Sequence, residues 1–200
     1  MGIVFFYMTV SVDGFIAGQD DAVDRLFGWY FGGDTEVSVA GSPTLRVSPA
    51  SAQILEEYRR SVGAGIVGRR TFDLSGAWGG DPPGAPLFVM THDPPPEWQG
   101  PESPFVFVTD GIESAVARAK AAAGEKDVQI WTGSTFRQAL RAGLLDEIHV
   151  AVAPLLLGAG VHLYDGLGPE PIDLEIVRVV DTPDVTHLRY RVVRQPQAPD

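Results

Sequence analysis

Three observations predict a mixed α/β fold with a largely parallel sheet finished by an antiparallel C-terminal hairpin. Segments of strand and helix character alternate in the order β-α-β-α-β-α-β-β-β, so helical crossovers join the early strands. Those strands are short and nearly continuous in apolar residues, as buried parallel strands are. The 16 prolines and 23 glycines are spread through 200 residues, which suits many short elements joined by tight turns and argues against a helical bundle.

Ile3 to Val12 is the first strand, β-rich and apolar on both faces. Asp13 to Leu45 reads as one long loop, with six glycines and the aromatic run Phe27, Trp29, Tyr30 and Phe31. Loops of that length in compact domains are usually functional. Ser48-Pro49 supplies an N-cap and a proline at the first helical position, and a helix of about four turns runs on to a stop at Gly63. Ala64 to Val67 is a strand, Arg69 to Leu74 a helical turn, and Pro86 to Thr91 a strand closed by the Pro94-Pro95-Pro96 turn. After the strand Phe105 to Thr109, Asp110 and Glu113 form a capping box, and Ile112, Val116, Ala119 and Ala123 line a helix ended by Gly124. Val128 to Thr132 is the next strand; Ser134 caps a helix through Arg141, ended by Gly143. Ile148, Val150 and Val152, then Leu174 to Val180 and Val185 to Val193, are the closing strands.

At 44% hydrophobic content the chain buries one good core, and nothing in it looks like an interdomain linker. A single domain over 1–194 with a short tail over 195–200 follows. The net charge of −11 and the scattered 15 Lys and Arg argue against a nucleic-acid surface. The apolar start has no basic n-region and falls far short of the roughly 20 residues of a membrane span, so the expected compartment is the cytoplasm. The absence of cysteine removes disulfides, thiolate nucleophiles and cysteine-zinc sites. His92, His149, His162 and His187 lack metal-ligand spacing, and neither a P-loop nor a G-x-S-x-G elbow occurs.

Gly63-Ala64-Gly65-Ile66-Val67-Gly68 spells G-x-G-x-x-G, but it leaves a helix and enters a strand, the reverse of a dinucleotide-binding turn. Gly68-Arg69-Arg70-Thr71 does follow a strand and open a helical turn; it is either a phosphate site or a solvated basic turn. Thr132-Gly133-Ser134 stands in the same kind of place, a second phosphate or ribose site or an ordinary strand-to-helix turn. Asp146-Glu147 reads as an acidic turn. Ser11-Val12-Asp13-Gly14-Phe15-Ile16-Ala17-Gly18 carries a carboxylate out of a buried strand into the long loop, where it either lines a ligand crevice or closes an Asx turn.

Taken in order, Ser11-Val12-Asp13-Gly14-Phe15-Ile16-Ala17, Gly68-Arg69-Arg70-Thr71-Phe72, Thr132-Gly133-Ser134, Ala142-Gly143-Leu144-Leu145-Asp146-Glu147-Ile148 and Ala153-Pro154-Leu155-Leu156-Leu157-Gly158 resemble the RibD C-terminal domain family of the dihydrofolate-reductase-like superfamily. The resemblance spans nearly the whole chain and implies a three-layer fold, with helices on both faces of the central, mainly parallel sheet. It implies NADPH lying across strand ends, bound by Gly68, Arg69, Arg70 and Thr71 on one side and Thr132, Gly133 and Ser134 on the other. Asp13 would be the catalytic residue, and Ser11, Asp13, Gly158 and Gly160 would border the substrate. It further implies a homodimer and reduction of a pyrimidine- or pterin-like small molecule, as in 5-amino-6-(5-phosphoribosylamino)uracil reduction. Two departures stand out. Relatives carry Gly-Gly where this chain has Thr132-Gly133, and Ser51-Ala52-Gln53 lacks the carboxylate with which folate reductases hold a pterin. Two alternatives stay open at this point, a nucleotide-binding protein without turnover and a flavin- or F420-linked reductase.

Overall fold

The computed structural model describes residues 2–39, 43–84 and 86–193. In chain order the elements are β1 (Val4–Ser11), β2 (Phe15–Ala17), β3 (Thr35–Val37), β4 (Leu45–Val47), α1 (Pro49–Ser61), β5 (Val62–Gly68), α2 (Arg69–Leu74), β6 (Leu87–Met90), β7 (Phe105–Val108), α3 (Ile112–Ala123), β8 (Asp127–Ile130), α4 (Gly133–Arg141), β9 (Glu147–Ala153), β10 (Val161–His162), β11 (Leu174–Asp181) and β12 (Thr186–Val192). Eight strands form one sheet in the order β11-β12-β9-β1-β8-β5-β6-β7. The six from β9 to β7 are mutually parallel, whereas β12 runs antiparallel to β9 and β11 to β12. The expected fold class is therefore the observed one.

Strand alternation sends Phe6, Ile66, Phe88, Ile130 and Val150 to one face, under α3 and α4. Phe5, Tyr7 and Ala151 point to the other, where Ala52, Leu55 and Tyr58 of α1 cover them, and Val67, Leu87 and Val89 meet Phe72 of α2. Helices thus cover both faces from β9 to β7.

Several local expectations change. The long loop contains structure: β2 pairs with β10, and β3 with β4. Gly63 does not stop a helix but lies in β5, where a Cβ would stand 2.7 Å from Lys126 Cβ, so the missing side chain serves the close pass of the α3–β8 connection. Asp110 and Glu113 form no capping box; Gly111, at φ +101°, is the N-cap of α3. Ser134 lies inside α4, which begins at Gly133 with Thr132 as N-cap. Ser48, by contrast, caps α1 as expected, its hydroxyl accepting the Ser51 N–H at 3.2 Å. The tail over 195–200 lies outside the described residues.

Two of the four histidines are sealed between α1 and the sheet. His187 Nε2 lies 2.9 Å from Ser51 Oγ, and His149 stacks on Phe5 with its Nε2 2.9 Å from Glu147 Oε2. Burial, reinforced by Arg178 and Arg189 respectively, pulls His187 down to about 4 and His149 to about 3. In the unfolded chain both titrate near 6.5, so below that pH the unfolded state binds more protons and stability drains away as the pH approaches the folded values. Thermal unfolding should accordingly show stability falling by at least about 1 kcal/mol per pH unit between pH 6.5 and 4. His187→Gln should flatten that fall; an identical slope would assign the acid sensitivity to other groups.

Candidate functional site

Beyond the C-terminal ends of the parallel strands the connections diverge. From β5 the chain moves on to β6 and β7, whereas from β8, its neighbour, it crosses through α4 to β9 on the far side of β1. Adjacent strands whose connections leave in opposite directions open a crevice at their carboxyl ends, the usual ligand position in such sheets. Gly68 and α2 stand on one side of this crevice, Thr132 and α4 on the other, and Ser11 to Asp13 at the end of β1.

A closed chain of hydroxyl bonds ties the two sides together. The Gly68 N–H donates to Thr132 Oγ1 at 3.1 Å, the Thr132 and Thr135 hydroxyls lie 2.5 Å apart, and Thr135 Oγ1 donates to the Thr132 carbonyl at 2.9 Å. The two hydroxyls thus direct their hydrogen bonds to each other, to the Gly68 amide and to the Thr132 carbonyl. Thr132 therefore holds the crevice together from within. What remains for an anion is the first turn of α4, whose N–H groups no side chain caps, and the exposed Ser134. Gly68 completes the cradle: a Cβ there would lie 3.1 Å from Ser134 Oγ and 3.3 Å from Thr132 Oγ1. Gly133 has a different reason to be small. Its Cβ would meet Ile16 Cδ1 at 2.7 Å, so the residue makes room for β2.

Neither expected arginine is free. Arg69 Nε donates to both oxygens of Asp73, at 2.7 and 2.9 Å, and its Nη1 donates to the Asp93 carbonyl; Arg70 Nη2 donates to Asp21 Oδ2. Thr71 is half-buried in the same short helix. An anionic ligand at this corner has to replace carboxylates already in place.

Ser11, Asp13 and Gly158 do come together, as one bonded cluster, whereas Gly160 packs against β2 and the residue after it. The Ser11 hydroxyl donates to Asp13 Oδ1 at 2.6 Å and accepts the Phe15 N–H at 2.9 Å. The Leu157 N–H donates to Asp13 Oδ1 at 3.1 Å and the Gly158 N–H to Oδ2 at 2.7 Å. Gly160, at φ +136°, lies so close to β2 that a Cβ would stand 2.1 Å from the Ala17 carbonyl oxygen. The Ser11 hydroxyl, with the Gly158 and Leu157 amides, holds the Asp13 carboxyl down at about 2. At neutral pH Asp13 is an anion that pins the loop after β9 onto the turn after β1, and it carries no proton to deliver. The turn itself is made by Ser11, so the expected Asx turn becomes a serine-based one.

Sequence reasoning missed Asp21, Asp73 and Thr135, and the bond from Trp29 Nε1 to Thr9 Oγ1 at 3.1 Å that ties the aromatic loop to β1. Only Asp73 had a readable signal, its i+4 spacing from Arg69. Among the described residues no group of three or more His, Cys, Asp or Glu could hold a metal, and no helix is long and apolar enough to cross a membrane.

Asp13→Asn tests the pin. An amide can keep one acceptor, but its NH2 then faces a backbone N–H, so the Leu157 and Gly158 amides should lose protection in hydrogen exchange by on the order of tenfold or more. Unchanged protection would mean that the loop is held by other contacts.

Among curated protein sequences nothing matches this chain. Solved structures share its fold at low identity. A riboflavin biosynthesis protein from Shewanella sp. PV-4 is 23% identical, with a TM-score of 0.73 over 96% of this chain and 99% of its own. A pyrimidine reductase-like protein from Corynebacterium diphtheriae is 14% identical, with a TM-score of 0.64 over 97% and 93%. A diaminohydroxyphosphoribosylaminopyrimidine deaminase/5-amino-6-(5-phosphoribosylamino)uracil reductase from Thermotoga maritima is 13% identical, with a TM-score of 0.64, and this chain spans 57% of it. The sequence profile of the RibD C-terminal domain matches residues 3–188, and the chain belongs to that family.

Proposed function

We propose that this protein is a cytoplasmic, NADPH-dependent reductase of a pyrimidine- or pterin-like small molecule, of the kind that the Thermotoga maritima relative's name describes. The observation that carries this reading is the cradle at the switch point. There a glycine leaves the space beside Ser134 clear, and α4 turns an uncapped N-terminus toward the crevice. Gly68, the first turn of α4 and Ser134 would hold the cofactor phosphates, and NADPH when bound would supply the hydride. Asp13 acts as a positioning residue that fixes the loop bearing Gly158 at the end of β1. Since it is ionised, the proton that accompanies the hydride comes from water.

The start of α1 argues against folate. Ser51 is turned inward onto His187 and Ser48, and with neither Ala52 nor Gln53 offering a carboxylate the start of α1 lacks the group with which folate reductases hold their pterin.

A thermal-shift panel of NADPH, NADH, flavins and F420 tests the cofactor. NADPH at a hundredfold excess over its Kd should raise Tm by about 5–10 °C, clearly more than NADH. Equal shifts from NADPH and NADH would refute recognition of the extra phosphate, and a shift from flavin alone would favour a flavin-linked reductase.

The expected homodimer has a face suited to it. Leu174, Ile176 and Val179 of β11 register with Val192, Tyr190 and Leu188 of β12, all on the side that α3 and α4 cover elsewhere, yet Ile176 is 70% exposed and Val179 55%. Open apolar faces of this kind mark association surfaces, and a two-fold axis lets one such face match itself. Ile176→Glu should convert a dimer to a monomer in analytical ultracentrifugation with an unchanged circular dichroism spectrum; a monomeric wild-type protein would refute the dimer.

A further inference from the structure

The Asp21–Arg70 ion pair joins parts of the chain that lie on opposite sides of the candidate crevice. Leaving β1, the chain forms β2, where Ile16 packs against Gly133 at the start of α4, and then carries Asp21 to Arg70 at the start of α2. Gly133 follows the end of β8 and Arg70 the end of the neighbouring β5, so residues 16–21 run from the α4 side of the cradle formed by Gly68, Thr132 and Ser134 to its α2 side.

The segment is held lightly. Asp20 and Asp21 stand in the left-handed region at φ +55° and +60°, a turn geometry that aspartate takes more readily than most residues. Toward the sheet its anchors are the pairing of Ala17 with Val161 in β10 and the close pass of Gly160, while the Gly18 N–H bond to the Ala22 carbonyl at 2.7 Å is internal to the segment. Toward α2 its anchor is the Asp21 carboxylate, whose partner Arg70 is 74% exposed in its side chain. Arg69 beside it is engaged by Asp73, so Asp21 occupies the one guanidinium of this turn that faces the segment.

We propose that Asp21 is a resident competitor for the anion position at Arg70, so that residues 18–25 form a lid latched by one ion pair and released when a ligand phosphate takes that place. A carboxylate and a phosphate make the same charge-assisted contact with a guanidinium, and Arg70 cannot serve both fully at once. The competitor thereby sets both the affinity for the cofactor and the opening of the crevice. This inference rests on the cofactor reading above for the identity of the anion, but not for the latch.

Two measurements on the full chain separate these parts. Trypsin cleavage after Arg25 of the ligand-free protein requires Leu26, 1% exposed, to leave its pocket, so it reports lid opening alone. Asp21→Asn should speed that cleavage about two- to fivefold, the range an exposed ion pair supports. Titration with NADPH followed by tryptophan fluorescence should show Asp21→Asn binding about two- to fivefold more tightly than wild type, with no such gain when Arg70→Ala is also present. Unchanged cleavage overturns the latch, and faster cleavage with an unchanged NADPH Kd overturns the competition. Faster cleavage with no NADPH binding by either protein would leave the latch standing and remove the cofactor reading instead.

Discussion

Strand β8 pairs in parallel with β1 on one side and β5 on the other, and this double pairing governs the C-terminal edge of the molecule. The slot it fills is left open when the chain runs from β1 through α1 to β5 and outward to β7. Returning through α3, the chain inserts a strand whose next connection must leave toward β9, against the direction taken from β5. The crevice follows from that reversal. Placing Thr132 next to Gly68 lets a side chain of one crossover satisfy a backbone N–H of the other, and the Thr132–Thr135 pair makes the contact a closed, buried unit. A buried amide left without that acceptor would be costly, so the spacing of the two turns and the threonine are coupled.

Polar groups around the crevice are largely satisfied by one another. Asp13 takes one hydroxyl and two amides, Thr132 takes an amide, and the two arginines of α2 take Asp73 and Asp21. In a chain of net charge −11, guanidinium groups near a strand edge find carboxylates readily, and an incoming anion meets competition before it meets a cation. The uncapped first turn of α4 is different, because its N–H groups are fixed by the helix and have no side chain bonded to them. Backbone geometry thus offers the lasting anion preference here, and side-chain charge adjusts it.

The same covering logic explains the far side of the sheet. Helices α3 and α4 reach across the parallel strands because they are the crossovers between them, whereas β11 and β12 are joined by a short turn and bring no helix along. Their apolar side chains stay in register but open to solvent. The charged side chains of the hairpin, Arg178, Arg189 and Glu175, fall on the opposite face, where Arg178 and Arg189 meet Glu57 of α1.

The order of elements, the parallel sheet with its antiparallel ending, the Ser48 cap and the Gly124 and Gly143 helix ends were legible in the sequence. Each depends on local periodicity or on a single residue's backbone preference, and neither needs a distant partner. The nearness of Ser11 and Asp13 to Gly158 was legible through the family resemblance. Tertiary structure alone decided the rest. The Asp110 cap lost to Gly111, Gly63 proved to be a packing glycine, and β2 formed inside what reads as a loop because its partner β10 lies far along the chain, while β3 pairs with β4 across the loop's end. Asp21 meets Arg70 across 49 residues and Asp13 meets Gly158 across 145, and no pattern of neighbours announces such a pair. Residue types set what each side chain can bond, but which bond forms is decided by what the sheet order places within hydrogen-bonding distance.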